Sequence, residues 1–214
     1  MRFAELVDAV ITETNRADLG LVANGGSGLI PQKVQEATLA LHSMSAWMKD
    51  LCSAQVDFPT ATYIQALDTS IFPRFRAPAA IRKWDVSFND QFGEPNSSAS
   101  SFLDIRDLTS MFNKYGEELL DVAYISGNTV NMRSSTPLKT ILFFYLQRPN
   151  IDPANFKSWI AEEYPYAIIT RAASIIFMSI GKQEASRSYD NPATGIVPFW
   201  DKILKNEKKV EWLT

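Results

Sequence analysis

The chain has 214 residues, 46% of them hydrophobic, 12% aromatic and 21% charged, enough apolar material for one large domain or a domain with an insertion. Its 21 basic and 24 acidic residues leave a net charge of −3, which argues against nucleic acid wrapped over the whole surface. A single cysteine, Cys52, and a single histidine, His42, exclude an internal disulfide, a thiolate-rich metal site and His-pair zinc motifs.

The first stretch, MRFAELVDAV, carries Glu5 and Asp8 inside its apolar run and so does not read as a signal peptide. Phe3, Leu6, Val7, Val10 and Ile11 fall on one helical face, and this helix is predicted to stop near Asn15. VANGGSGLIP follows as a glycine-rich loop, without the GK[ST] ending of a phosphate loop. Pro31 suits the first turn of a second helix, whose stripe of Val34, Ala37, Thr38, Leu41, Met44, Ser45 and Met48 is predicted to run to about Asp50. Trp47 then falls roughly opposite the stripe, and packs under another segment of its own chain or against another subunit. His42 falls on the flank of the stripe as a partly exposed residue.

From Cys52 to Arg148 the pattern changes. VDFPTATYIQAL reads as short strands or extended chain, FPRFRAPAAIRKW as a loop carrying Arg74, Arg76, Arg82 and Lys83, and FGEPNSSASS as a turn. SFLDI reads as a strand, and RDLTSMFNKYG as a short helix ended by Gly116. Gly127-Asn128 is a two-residue hairpin turn that sets Ile125 opposite Val130, Ala123 opposite Met132, Tyr124 opposite Asn131 and Ser126 opposite Thr129. TILFFYLQ is apolar on both faces, as an interior strand would be.

SWIAEEYPYAIITRAASIIFMSIG returns to helix, with Pro165 near its start, Gly181 at its stop, and only Thr170, Arg171 and Ser174 as a polar stripe. So apolar a helix needs covering nearly all round, by the first two helices and by the sheet or a neighbour. The tail after Asn191 holds Pro192 and Pro198, is then expected to form a charged helical end, and finishes on Val210, Trp212 and Leu213, apolar for a chain end. The expected fold is α+β. It is a helical bundle of two N-terminal helices and a long C-terminal helix, with an inserted antiparallel β-rich region and an extended C-terminal tail. Its predicted parts are a helical pair over 1–50, the β-rich insertion over 51–150, the core helix over 151–190 and a docking tail over 191–214.

No catalytic, cofactor or metal constellation stands out, so no enzyme activity and no cofactor are expected. Asp104 and Asp107 flank Arg106 and read as a surface ion pair. Arg74, Arg76, Arg82 and Lys83 are interleaved with Phe72, Phe75 and Trp84. That pattern fits a solvated loop, contact with an acidic partner, or a single-stranded nucleic-acid surface.

The order of FAELVDAVITETNRADL, VQEATLALHS with MKDL, FPRFRA with IRKWD, YISGNTVNMRSSTPLKTILFFYLQRPNI, and SWIAEEYPYAIITRAASIIFMSIGKQEASRSYDN resembles the head–tail adaptor (connector) proteins of tailed bacteriophages. The resemblance covers most of residues 2 to 191 and leaves the tail unmatched. It implies a virion protein of the neck, made in the host bacterial cytoplasm. Such a protein would assemble as a ring of about twelve copies beneath the portal protein, give tail or neck proteins a platform, and let genomic DNA pass without sequence-specific binding. It implies no membrane and no reaction. Trp47, the basic residues of 74–83, and Val210, Trp212 and Leu213 become its candidate interface residues. Another neck or tail component, such as a tail terminator or tube-attached protein, is the alternative, and a nucleic-acid-binding module a further one.

Overall fold

A computed structural model describes residues 1–19, 28–84, 102–107 and 119–209. Two compact units divide the chain: Met1–Asp50 with Arg148–Lys209, and residues 51–147.

The first unit is helical. Helix α1, Phe3–Thr14, buries Phe3, Leu6 and Val10 on the predicted face, with Val7 and Ile11 at its margin. It stops where expected. Asn15 takes a left-handed conformation (φ 51°) and its N–H reaches back to the Ile11 and Thr12 carbonyls. Helix α2, Leu29–Ser43, buries Ile30, Val34, Ala37, Thr38 and Leu41, and ends short of the predicted Asp50. A helix continued past Ser43 would carry Trp47 to the side away from the core. The chain instead breaks at Met44, and a short 3-10 turn, Met48–Asp50, follows. Trp47 thereby swings inward, and burying so large a ring outweighs the few helical hydrogen bonds given up.

The predicted long C-terminal helix is not formed. Two helices replace it, α3 (Trp159–Glu163) and α4 (Pro165–Ser179), separated at Tyr164 (φ −131°, ψ 53°). Pro165 has no N–H to continue the ladder and forces its predecessor out of the helical region. Gly181 at φ 77° stops α4, with the Lys182 N–H bonded to Phe177 O at 2.8 Å. After Gly181 the described chain forms α5 (Gln183–Asp190) and, within the predicted tail, α6 (Ile196–Leu204), so that part is helical, as its charged end was expected to be, rather than extended. These two answer the question of what covers α4. Its Ile168, Ala172 and Ile176 pack with α1 and α2, while its polar stripe turns to the later helices rather than to water. Ser174 donates to Asp190 at 2.5 Å, and Arg171 donates to Asp201 at 2.6 and 2.8 Å.

The second unit is a sheet that closes on itself. Its strands are β1 (Leu51–Asp68), β2 (Phe75–Trp84), β3 (Phe102–Ile105), β4 (Val122–Ser126) and β5 (Thr129–Gln147). Strand β5 pairs with β2, β2 with β3, β3 with β4, and β4 back to β5, which makes a four-stranded barrel. Strand β1 lies along the other edge of β5. The expected α+β bundle with an antiparallel insertion is thus corrected twice over: six helices among the described residues build the first unit, and the second is a barrel whose β3–β4 pair is parallel. The β4–β5 hairpin has the predicted register, with Gly127 at φ 59° in its turn.

Two stretches differ from expectation for one reason, a change of side-chain parity at a bulge. In β5, Val130, Met132 and Leu138 point inward, and after an irregularity so do Ile141, Phe143 and Tyr145. One 19-residue strand therefore resembled two segments. In β2, read as a loop from its prolines and arginines, Pro78 sits beside a register shift, where a strand tolerates a residue without an N–H. Phe72, Phe75, Phe143 and Tyr145 form the aromatic centre of this core, with ring centroids 4.9–6.1 Å apart. The predicted turn FGEPNSSASS, most of the NGGSG loop and most of the RDLTSMFNKYG helix lie outside the described residues.

Candidate functional site

Among the described residues, the nominated interface residues differ in exposure. Trp47 is 1% exposed: its Nε1–H donates to Leu41 O at 3.3 Å, its ring meets Trp159 edge-on at 5.9 Å, and its backbone pairs with Lys209. Arg74 is exposed in the turn before β2, in a left-handed conformation (φ 57°), whereas Arg76 and Arg82 are half-buried along that strand. Lys83 is buried. Val210, Trp212 and Leu213 lie outside the described residues.

Lys83 is the entry to a polar knot that sequence reading did not find. On the edge of β5 facing away from β1, Arg133 is the last partner of β4 and Thr140 the first partner of β2. Between them, among the described residues, that edge has no strand beside it. Asp121 fills the gap: Oδ1 accepts from Lys83 Nζ (2.9 Å), Ser134 Oγ (3.1 Å) and the Ser135 N–H (2.9 Å), and Oδ2 accepts from Ser135 Oγ (2.7 Å). A carboxylate here satisfies part of that edge, at the point where the barrel closes. Burial alone would raise its pKa. The Ser135 N–H, the Lys83 ammonium and the Ser135 hydroxyl outweigh that and hold it well below the usual carboxylate range. Asp121 also takes φ 57°, a conformation that Asp tolerates better than most residues.

A second knot lies in the helical unit, around the lone histidine. The sequence places His42 on a partly exposed flank; in the structure it is 3% exposed. The early end of α2 lets Asp50 return to it, with Nδ1 at 2.9 and 3.0 Å from the two carboxylate oxygens, and Nε2 lies 2.9 Å from Ser158 Oγ. These are the atoms and distances of a Ser–His–Asp relay. They are arranged for holding. Ser158 is the N-cap of α3, its Oγ accepting the Ala161 N–H at 3.2 Å, and Asp50 also accepts from Trp159 Nε1 at 2.9 Å. With the proton assigned to Nδ1, every member is satisfied: His42 donates to Asp50, and Ser158 donates to Nε2. Ser158 and Asp50 are 3% and 6% exposed, so the hydroxyl presents no face to an incoming acyl group. An open cavity of about 470 Å³ in this unit, lined by Met1, Arg2, Phe3, Glu5, Pro153, Ala154, Phe156 and Glu162, contains none of the three. The trio ties the end of α2, the 3-10 turn and the start of α3 together.

No protein-family model matches this sequence, and no curated protein matches it.

Among the described residues no group of three or more His, Cys, Asp or Glu is placed to hold a metal ion, and no helix is long and apolar enough to cross a membrane. The Asp104–Arg106 pair forms at 2.7 Å. Large apolar side chains are exposed on both units. Tyr63 (58% exposed) and Ile64 (63%) stand on β1, beyond Pro59, and Ile71 follows them; in the helical unit Tyr166, Met178, Ile196 and Phe199 are exposed. In the helical unit each of these positions belongs to a helix whose opposite face is core, so neither tight turns nor charge patterning marks it, whereas β1 is exposed on both faces over residues 59–64.

Proposed function

We propose that this chain is a structural subunit of a tailed-phage neck, a head-to-tail adaptor that joins copies of itself into a ring between portal and tail. The supporting observation is the order of parts. The helical unit is left at Asp50 and re-entered at Arg148, with the whole β unit inserted between, in the sequence of segments for which the resemblance was drawn. Exposed apolar side chains on both units give such a subunit surfaces that are completed by other chains.

The mechanism in this reading is mechanical. A ring built from heterologous contacts uses two different patches of each copy and closes when the rotation between copies closes. The long edge of β1 is suited to contact, since among the described residues it pairs only with β5. A subunit with a net charge of −3 offers passing DNA little to grip, as a conduit requires.

Binding of nucleic acid through the residues of 74–83 is less well supported. Lys83 is engaged by Asp121, and Arg76 and Arg82 are half-buried, so the four charges do not present a common face. A tail terminator or a tube-attached protein would use the same kinds of surface and differs in position alone. Incubation with the portal ring of the same particle, read by mass photometry, tests the adaptor reading: a complex of portal and multiple copies is expected, and mutual indifference of the two at micromolar concentration would refute it.

A further inference from the structure

The last helix and the segment beyond it form an arm, residues 196–209, with an unusual attachment. Five residues, 191–195, join it to α5 in a tight turn. Asn191 O accepts the Gly195 N–H at 2.7 Å, and Asn191 Oδ1 accepts the Ala193 N–H at 2.9 Å. A Cβ at Gly195 would stand 2.4 Å from Tyr189 O and 2.6 Å from both the N and the O of Asn191, so this closed turn admits glycine alone.

The arm is seated on its own unit by contacts that any other copy also presents. Val197 and Leu204 are buried, and Asp201 accepts from Arg171. Glu207 accepts from the Tyr164 hydroxyl and pairs with Lys49 at 3.2 Å, and Lys208 O accepts the Met48 N–H at 3.1 Å. The seating is imperfect. Arg171 Nε and Trp200 Nε1 are buried there without an acceptor, while Ile196 and Phe199 of the same helix stay in water. A short, crowded hinge leading to an incompletely satisfied helix is the setting in which identical chains exchange that element.

We propose that the arm is exchanged between copies: in the assembled state α6 and residues 205–209 dock on the Arg171, Lys49 and Trp47 seat of the adjacent copy. The exchange rests on the ring reading above, and head-to-tail passage of the arm gives that ring a heterologous contact.

Two measurements test it. Arg171→Glu and Asp201→Lys each set like charges against one another, within a copy and between identical copies. Mixed, the two variants restore opposite charges only in trans. Native mass spectrometry should then show hetero-oligomers at least tenfold in excess of either homo-oligomer, and a mixture that stays two sets of monomers overturns the exchange. Should either variant fail to fold, the natural chain suffices. Equal parts of isotopically light and heavy protein are assembled on portal rings and treated with a carbodiimide, which joins Lys49 to Glu207. Mixed light–heavy Lys49–Glu207 peptides are expected. Rings whose links are all light–light or heavy–heavy overturn the exchange and leave the adaptor reading standing, whereas failure to form any ring overturns both.

Discussion

Replacing Asp121 by Ala removes the carboxylate that fills the gap in the barrel wall. Four hydrogen bonds disappear with it, and Lys83, its side chain 9% exposed, keeps its charge without a counter-ion. Breaking a buried ion pair from one side costs about 3–5 kcal/mol. Asp121 itself is 36% exposed, so solvent screens part of the interaction, although Ala holds the left-handed conformation less readily than Asp does. The net expectation is about 2–3 kcal/mol, close to two powers of ten in the folding equilibrium of the β unit. Urea unfolding followed by circular dichroism gives the loss, and hydrogen exchange at the Ser135 amide locates it. Lys83→Met in the Asp121→Ala background should recover part of the stability, because the stranded ammonium is then gone. Equal stability of Asp121→Ala and the parent, or no recovery on removing Lys83, would refute the assignment of the knot as the closure of the barrel.

Other expectations follow from single features. The Asp121 carboxyl is depressed in the folded state, so its contribution is complete above the ordinary carboxylate range near pH 4 and is lost as pH falls through the lower folded value. The parent should therefore lose stability in acid more steeply than Asp121→Asn, and parallel acid-unfolding curves would contradict this. Ser158→Ala removes the N-cap of α3 and the donor to His42 Nε2, for a loss of about 1–2 kcal/mol by thermal unfolding, whereas Ser158→Thr should keep most of it. Trp47→Ala should cost about 3–5 kcal/mol, and intact stability would mean that its ring is not core. Gly127→Val forces a β-branched residue into φ 59° at the hairpin turn and should cost about 1–3 kcal/mol, measurable as a lower urea midpoint.

What could be read from the residues was local. The face and end of α1, the start of α2 and the register of the β4–β5 hairpin rest on periodicity and on turn chemistry confined to a few neighbours, and these the folded chain keeps. The long C-terminal helix was lost because one Pro165 that fits a first turn also breaks whatever precedes it; sequence cannot say which role prevails until Trp159 has found its acceptor on Asp50. Strands β2 and β5 were obscured by bulges that shift the alternation midway. The barrel and both polar knots rest on partners far apart in the chain, Lys83 with Asp121 and His42 with Ser158, and no spacing rule joins them. One hint was available for the second knot: a lone histidine on an apolar helix needs two polar neighbours if it is buried, and Asp50 and Ser158 each stood at a predicted helix end.

Whether virus particles contain this chain, and where, bears most directly on the proposed function. Cryo-electron microscopy of purified particles, with the map fitted by the two units separately, should place a closed ring of this subunit directly beneath the portal, encircling the DNA path. Density for it elsewhere in the particle, or a particle complete without it, would contradict the adaptor account.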